Sequence, residues 1–289
     1  MSETSSATIV AEMPDARDLG LHFVFTTYGV AVRIESNDDR VLAKAKAIAK
    51  KAFLDRLEFI IDDNRSVDII FGIAVIEGGA FQLRENRENI SETPSEAILM
   101  NFFRSYLRVS VAERSKDWIF VHAGVVGYNG RAIVIPGNSF SGKTTLVAEL
   151  VKFGAEYMSD EYAIFDSDGM VYPFQRDLSI RVNGDRRNAV ETKLEALGGR
   201  AAMSALPVGL VICTEYVPGE SWAPVRLSLG NGIKEMIPHT ISIRLNTSLA
   251  LKALNTGLSR AIILKGARPE SGPVAKEILS LADSDSNWS

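Results

Sequence analysis

The sequence predicts an α/β fold, in which a C-terminal domain with a mixed sheet and a phosphate-binding loop follows a small α+β domain. Three observations support this prediction. Residues 137–144 read GNSFSGKT between a strand pattern and a helix pattern. Short apolar strand patterns alternate with helix patterns from Leu21 onward. Residues 20–117 carry no recognisable chemical motif. The predicted parts are a flexible lead-in over 1–19, domains over 20–117 and 118–283, and a tail over 284–289.

Composition restricts the class of protein. The chain has 289 residues, 46% of them hydrophobic and 24% charged, which excludes a wholly disordered chain. Its 32 basic and 36 acidic residues give a net charge of −4, which argues against a nucleic-acid partner. The best apolar run, residues 69–76, is shorter than the ~18 residues of a membrane span. Acidic residues near the N-terminus argue against a secretory signal, and the single Cys213 excludes an intrachain disulfide framework. We therefore expect a cytoplasmic protein without a membrane or nucleic-acid partner; a homo-oligomer stays open.

In the first half, residues 21–35 predict two strands around a turn at Tyr28-Gly29. The polar residues 37–39 can cap a helix over 41–53, whose apolar positions recur at helical spacing. A strand over 67–76 and a short partner over 80–83 follow. The polar segment 85–93 is predicted as a loop, and Pro94 opens a helix that reaches about residue 113.

In the second half, the turn Asn129-Gly130 predicts a hairpin between strands 118–128 and 131–136. A helix over 143–153 ends at Gly154, and short strands over 155–158 and 162–165 come next. Downstream we predict strands over 178–182, 208–214, 225–228 and 261–265, and helices over 191–197, 247–256 and 274–281.

The segment 137–145 carries the most specific chemistry. It fits G-x-x-x-x-G-K-[ST] position by position, in the strand–loop–helix context that the motif requires. Glycines let successive backbone N–H groups turn inward toward phosphate oxygens, and the helix N-terminus adds its dipole. Lys143 would reach the β- and γ-phosphates, and the Thr144 hydroxyl would bind Mg²⁺. The predicted ligand is ATP with Mg²⁺, and the predicted nucleotide-binding residues are Gly137, Asn138, Ser139, Phe140, Ser141, Gly142, Lys143, Thr144 and Thr145.

An acidic pair, Asp160-Glu161, follows Lys143 closely in the chain. Only one helix and one short strand separate the loop from this pair, so we expect the strands before the loop and before the pair to be neighbours. Both carboxylates would then lie near the γ-phosphate, because strands joined by a right-handed crossover end at the same edge. Strand alternation sends the two side chains to different sides. One could accept a proton and the other could hold Mg²⁺ or its waters; a solvated turn is the alternative.

The residues from His122 through the loop, Gly154 and Asp160-Glu161 resemble the catalytic domain of HPr kinase/phosphorylase. They resemble still more the HPr kinase-related proteins of bacteria, a family that shares its core with ATP-type phosphoenolpyruvate carboxykinases. His122 precedes Gly137 by the family's spacing, and residues 173–181 are similar to a downstream family segment. The resemblance covers about residues 118–270.

The resemblance implies an ATP-dependent kinase that transfers the γ-phosphate to a hydroxyl, in the first instance that of a Ser, on a protein, peptide or small molecule. It implies Asp160 as the residue that orients or deprotonates the acceptor, with Glu161 and Thr144 at the metal. His122 would lie near the transferred phosphate. Arg181 would stabilise its charge, and Arg176 would contact phosphate.

Departures from the family limit what is carried over. Thr144-Thr145 and Asp160-Glu161 stand where HPr kinases have Ser-Glu and two aspartates, and their Met-Glu-Val-Arg-Gly signature is missing. HPr is therefore not implied as the substrate. Two other functions stay open: a nucleotide-binding regulatory or assembly protein, and a P-loop ATPase without kinase activity. His122 could equally be a buried structural residue, His239 is assigned no role beyond structure or surface, and Arg268 is at best a weak candidate for the site.

Overall fold

The computed structural model describes residues 19–61, 66–139, 141–176, 178–181 and 189–283. The chain forms two compact units, Met1–Val111 and Ala112–Ser289. The boundary that the sequence predicts between residues 117 and 118 stays a prediction. The predicted tails lie outside the described residues, except for Leu19. Among the described residues, no helix has both the length and the apolar character needed to cross a bilayer.

The first unit contains a six-stranded sheet in the order β3-β1-β2-β4-β5-β6. β2 and β4 pair in parallel and the other neighbours pair in an antiparallel manner. Asp38 caps α1 by accepting hydrogen bonds from the backbone N–H groups of Arg40 and Val41, as the polar cap in the sequence predicts. The elements are β1 (Leu21–Thr27), β2 (Val30–Ser36), α1 (Asp39–Phe53), β3 (Glu58–Ile60), β4 (Ile69–Val75), β5 (Phe81–Glu85), β6 (Glu88–Thr93) and α2 (Glu96–Arg114).

One element of this unit corrects the sequence analysis. The predicted loop over 85–93 is wrong, because Glu88–Thr93 forms β6 and pairs with β5. The strand lies at the sheet edge and half of its residues are exposed. Its sequence therefore lacks the alternation of apolar and polar residues that predicts a strand. The connecting residues Asn86 and Arg87 adopt positive φ without the glycine that marks a tight hairpin in a sequence.

The second unit contains a nine-stranded mixed sheet and a two-stranded ribbon within the described residues. The long hairpin between β7 and β8 lies at its centre, with Asn129 and Gly130 at positive φ in the turn that the sequence predicts. The strands are β7 (Ile119–Tyr128), β8 (Arg131–Pro136), β9 (Glu156–Ser159), β10 (Tyr162–Phe165), β11 (Met170–Tyr172), β12 (Leu178–Arg181), β13 (Ala189–Thr192), β14 (Arg200–Ala201), β15 (Leu206–Tyr216), β16 (Val225–Arg226) and β17 (Ile262–Arg268). The helices are α3 (Lys143–Lys152), α4 (Leu229–Met236), α5 (Thr247–Leu258) and α6 (Ser271–Asp283).

Helices cover both faces of this sheet, and β8 shows why. Its residues Ile133 and Ile135 belong to a buried cluster with apolar residues of α3 and α6. Ala132 and Val134 belong to a second cluster with residues of α4 and α5. Since side chains alternate along a strand, a strand buried on both faces must be apolar throughout, as this one is. β8 is therefore a rigid support for the loop that follows it.

The predicted adjacency of the strands before the loop and before the acidic pair is wrong. β8 and β9 both pair with β7, which lies between them. The ten-residue β7 occupies the position beside β8 because the tight turn at Asn129-Gly130 folds the two together. Both β8 and β9 run antiparallel to β7, so they run parallel to each other and end at the same edge of the sheet. The loop and the acidic pair still meet there.

Two helical segments of the second unit differ from the prediction. The helix predicted over 191–197 is instead the end of β13 and a 3₁₀ turn over Leu194–Leu197. Helix α4, capped by the Ser228 hydroxyl, was not predicted because its sequence contains two glycines. One of them, Gly232, packs against Ile263, where a Cβ atom would lie 2.3 Å from the isoleucine Cδ1. Close packing against the sheet therefore outweighs the low helix propensity of glycine at this position.

Candidate functional site

The glycine-rich loop 137–142 joins the end of β8 to the start of α3. The Gly137 N–H donates to the carbonyl of His122 (3.2 Å), which ties the start of the loop to β7. Gly142 has φ 83°, a left-handed conformation that suits glycine, and precedes the first residue of α3. Among the described residues no side chain caps this helix start, and its first turn has no acidic residue. Its N–H groups and helix dipole therefore favour an anion at this position.

Lys143 is buried, and its ammonium group turns back over the loop. Its Nζ donates to the carbonyls of Gly137 (2.8 Å) and Asn138 (2.7 Å). The positive charge is thus held against the backbone carbonyls of the first two loop residues. A phosphate oxygen at this position could replace the carbonyls as a stronger, charged acceptor.

The first acid of the pair lies beside the first turn of α3. The Thr144 hydroxyl donates to Asp160 Oδ2 (3.4 Å), and the Tyr157 hydroxyl donates to Asp160 Oδ1 (3.1 Å). Asp160 is buried, and the pKa of Tyr157 is raised well above its usual value by burial and then by the Asp160 charge. Both carboxylate oxygens are therefore oriented by neutral hydroxyl donors. Thr145, the next predicted residue, is exposed on the same turn.

The second acid of the pair has a different partner. The Glu161 carboxylate forms an ion pair with Arg176, and both side chains are only partly exposed. The Glu161 carbonyl accepts a hydrogen bond from the Ala123 N–H (3.1 Å), which anchors this position to β7. The two adjacent carboxylates therefore act in separate surroundings, one beside the Thr144 hydroxyl and one against a guanidinium group.

His122 lies on β7 close to the Lys143 ammonium group. Burial and, to a smaller extent, the charges of Lys143 and His239 lower the pKa of His122 to about 4. The imidazole is consequently neutral at physiological pH. It can donate a hydrogen bond to a ligand near Lys143, or accept one from it, without adding a positive charge.

Phe140 lies outside the described residues, and only the backbone of Arg181 is described, in β12. Their predicted contacts with the nucleotide and the moving phosphate stay predictions.

Arg268 is part of this region, although the sequence indicates it only weakly as a site residue. Its side chain is 1% exposed and lies beneath the loop, where Nη2 donates to the carbonyls of Ser141 (3.3 Å) and Gly142 (3.0 Å). Nη1 donates to the Ser271 hydroxyl (3.0 Å), and the guanidinium group lies 5.6 Å from the ring centre of Tyr216. The only signal in the sequence was an arginine at the end of an apolar strand.

A cavity of about 590 Å³ opens beside the first half of the loop. Its wall consists of loop residues 136–139 and Ser141, the ends of β15 (213–215) and β17 (265–267), and the side chains of Glu235 and His239. Both strands run parallel to their neighbour, β15 with β8 and β17 with β15. Ligands bind at the carboxyl ends of such strands, so the position of this cavity favours binding. No sequence pattern indicates His239 as a residue of this region, because it lies in a short 3₁₀ turn.

Few side chains among the described residues are arranged to bind a metal ion. No group of three or more His, Cys, Asp or Glu side chains is arranged to hold a metal within the described part of the chain. Mg²⁺ in phosphoryl-transfer sites needs only one or two protein ligands, because phosphate oxygens and waters complete its shell. The Thr144 hydroxyl, which lies beside the Asp160 carboxylate, fits that requirement.

No protein-family model matches the chain, and no curated protein matches it. Among solved structures, the chain is similar to the Hpr(Ser) kinase/phosphatase from Coxiella burnetii, with 13% sequence identity and a TM-score of 0.29. The match covers 58% of this chain and 94% of the other. The similarity is a distant one in fold.

Proposed function

We propose that the second unit binds ATP with Mg²⁺ and transfers the γ-phosphate to a hydroxyl group. The observation that carries the proposal is the junction of β8 and α3. Within the described residues, a lysine over a glycine-rich loop, a helix start without a side-chain cap and a hydroxyl–carboxylate pair meet at one edge of the sheet. The lysine and the helix start stabilise negative charge on phosphates, and the oxygen atoms of the hydroxyl–carboxylate pair suit the Mg²⁺ that accompanies them.

The proposed roles follow the contacts. Lys143 and the loop N–H groups bind the β- and γ-phosphates, and Gly142 allows the backbone to turn into α3. Thr144 would hold Mg²⁺, which neutralises charge on the β- and γ-phosphates when bound. Asp160 lies beside Thr144 and therefore close to the transferred group. It orients the acceptor hydroxyl and takes its proton.

In the transfer, the acceptor oxygen bonds to the γ-phosphorus as the bond from that phosphorus to the bridging oxygen breaks. ADP leaves with the electron pair, and the hydroxyl proton moves to Asp160. Neutral His122 donates a hydrogen bond to the transferred group.

For Glu161 the proposal departs from the role expected from sequence. Its carboxylate pairs with Arg176, whereas the Thr144 hydroxyl donates to Asp160, so we assign Glu161 to positioning Arg176 toward the phosphates. Arg181 keeps its predicted role of stabilising charge on the moving phosphoryl group.

The direct test is ATP binding by the full chain. Mg-ATP should raise the melting temperature of the wild type, because a ligand that binds only the folded state stabilises it. Lys143→Ala should lose most of this shift. Lys152→Ala is the matched control, since it removes only a surface ion pair with Glu149 at the other end of α3. Equal shifts in wild type and Lys143→Ala would refute ATP binding at the loop. Hydrolysis of ATP without transfer to any hydroxyl would instead favour an ATPase.

A further inference from the structure

We propose that Tyr216 is the residue on which the base of the nucleotide stacks. Tyr216 is the last residue of β15 and is partly exposed. The inference rests on the proposed function for the position of the phosphates, and it adds the position of the nucleoside. The ligand class is a nucleoside triphosphate whose planar base lies beside the end of β15.

Tyr216 lies against the second half of the glycine-rich loop. A Cβ atom added at Gly142 would lie 3.8 Å from a Tyr216 Cβ that belongs to a neighbouring strand. Tyr216 pairs in register with Arg268, whose side chain donates to the Gly142 carbonyl. Leu210 and Ile212 pack in the cluster formed with α3 and α6, so side-chain alternation places Tyr216 on the same face of β15. The tyrosine is therefore beside the start of α3, where the loop ends.

The order of the strands indicates the direction in which a bound nucleotide extends. β8 has β7 on one side and β15 on the other. Asp160, which accepts from the Thr144 hydroxyl, follows β9 on the β7 side. In the proposed reaction the γ-phosphate lies on that side, close to Asp160. Because the γ-phosphate and the nucleoside are at opposite ends of the triphosphate, the nucleoside extends toward β15, where Tyr216 lies.

The Tyr216 ring is held in place and is still accessible. The Arg268 guanidinium group lies over the ring, 5.6 Å from its centre, and the Tyr216 hydroxyl donates to Glu270 Oε1 (2.6 Å). Tyr216 is nevertheless 39% exposed. An aromatic side chain fixed in this way loses little entropy when a planar ligand binds to it. Stacking uses the face of a base and not its hydrogen-bonding edge, so this residue favours a nucleotide without selecting a particular base.

Calorimetry with the full chain tests this assignment. The two ligands are Mg-ATP and magnesium tripolyphosphate, which has the phosphate chain of ATP without the nucleoside. We expect Tyr216→Ala to weaken binding of Mg-ATP about tenfold, a loss of about 1.4 kcal/mol, and to leave binding of tripolyphosphate unchanged. Tyr216→Phe keeps the ring and loses only the hydrogen bond to Glu270, so it should bind Mg-ATP within about threefold of the wild type.

Phe153→Ala is the matched control. Phe153 is also 39% exposed and also has a cation over its ring, Lys276 Nζ at 4.9 Å, but it lies at the other end of α3. This variant should bind both ligands as the wild type does.

Three results would overturn the proposal. The first is unchanged affinity for Mg-ATP in Tyr216→Ala. The second is an equal loss of ATP and tripolyphosphate affinity in that variant, because Tyr216 would then act only by holding Arg268 beneath the loop. The third is a loss of ATP affinity alone in His239→Phe with normal binding in Tyr216→Ala, which would place the nucleoside in the cavity. A wild type that binds neither ligand would refute the proposed function and this inference with it, whereas the three results above leave phosphate binding at the loop intact.

Discussion

The guanidinium group of Arg268 donates a hydrogen bond from Nη2 to the backbone carbonyl of Gly142, 3.0 Å away and 126 residues earlier in the chain. The contact joins the end of β17 to the residue that precedes α3. It leaves no space at Gly142, where a Cβ atom would lie 2.3 Å from Arg268 Nη2. The conformation of the loop is thus supported from below by a side chain that does not need to touch a ligand.

Gly142→Ala should therefore lower the free energy of unfolding by more than the strain of an alanine in the left-handed conformation. Gly130→Ala is the matched control, because Gly130 also has positive φ (74°) but has no atom within 4 Å of its added Cβ. We expect the control to lower the free energy of unfolding by about 1 kcal/mol, and Gly142→Ala to add about 2 kcal/mol for the clash. Urea unfolding measures both, and equal losses would contradict the close contact.

Arg268→Lys should destabilise the protein and weaken ATP binding together. A lysine keeps the charge but lacks the planar fork, so it cannot serve the loop carbonyls and the Ser271 hydroxyl at once. Unsatisfied buried groups should reduce the free energy of unfolding by about 3 kcal/mol. Affinity for Mg-ATP should fall about tenfold, a loss of about 1.4 kcal/mol. Arg260→Lys, on an exposed site, should change neither quantity. If a folded Arg268→Lys protein bound ATP as tightly as the wild type, ATP binding would not depend on the hydrogen bonds from Arg268 to the loop.

The two acids of the pair should have separable effects. Asp160→Asn should bind Mg-ATP within about tenfold of wild type, since Lys143 and the loop hold the phosphates. Its turnover should fall by about 10²–10⁴-fold, the usual contribution of a proton acceptor. Glu161→Gln removes the charge that pairs with Arg176 and should reduce turnover less. Binding is measured by calorimetry and turnover by release of ADP. If Asp160→Asn loses Mg-ATP binding and Glu161→Gln loses only turnover, the two residues have the opposite roles.

His122 should make stability depend on pH. Its pKa is about 4 in the folded protein and 6.5 in the unfolded chain, so between these values only the unfolded chain binds the proton. Stability should therefore fall as pH drops from 6.5 toward 4. His122→Gln should remove this dependence, and the wild type should lose about 2 kcal/mol more than the variant between pH 7 and pH 4.5. Parallel pH profiles of urea unfolding in the two proteins would show that His122 is not buried as a neutral group.

The nucleotide-binding region should also work without the first unit. A fragment over 115–289 begins after α2 and contains the loop, the acidic pair and the cavity. We expect it to fold and to bind Mg-ATP within about threefold of the full chain, a difference below 1 kcal/mol. Calorimetry of both proteins tests this, with a 19–111 fragment as the non-binding control. A folded 115–289 fragment without ATP affinity would mean that the first unit contributes to the site.

The sequence by itself determined the local features of the second unit. The turn Asn129-Gly130, the apolar β8, the loop 137–142 and the start of α3 depend on backbone preferences and side-chain periodicity over a few residues. These preferences are properties of neighbouring residues, so they could be recognised before any tertiary contact was known. The exposed β6 and the glycine-containing α4 escaped prediction, because pairing at a sheet edge and packing on Ile263 stabilise them.

Only the tertiary structure decided which distant side chains meet at the loop. The order of the strands places β7 between β8 and β9, directs Asp160 to Thr144 and Glu161 to Arg176, and brings Arg268 beneath Gly142. It also gathers Thr214 and His239 around one cavity. The sequence predicts that the acidic pair lies near the loop. It does not predict the separate partners of Asp160 and Glu161 or the contact of Arg268, because these depend on how the strands pair. The motif that predicts phosphate binding therefore lies in a short stretch, while the support of this loop by Arg268 exists only once the sheet has formed.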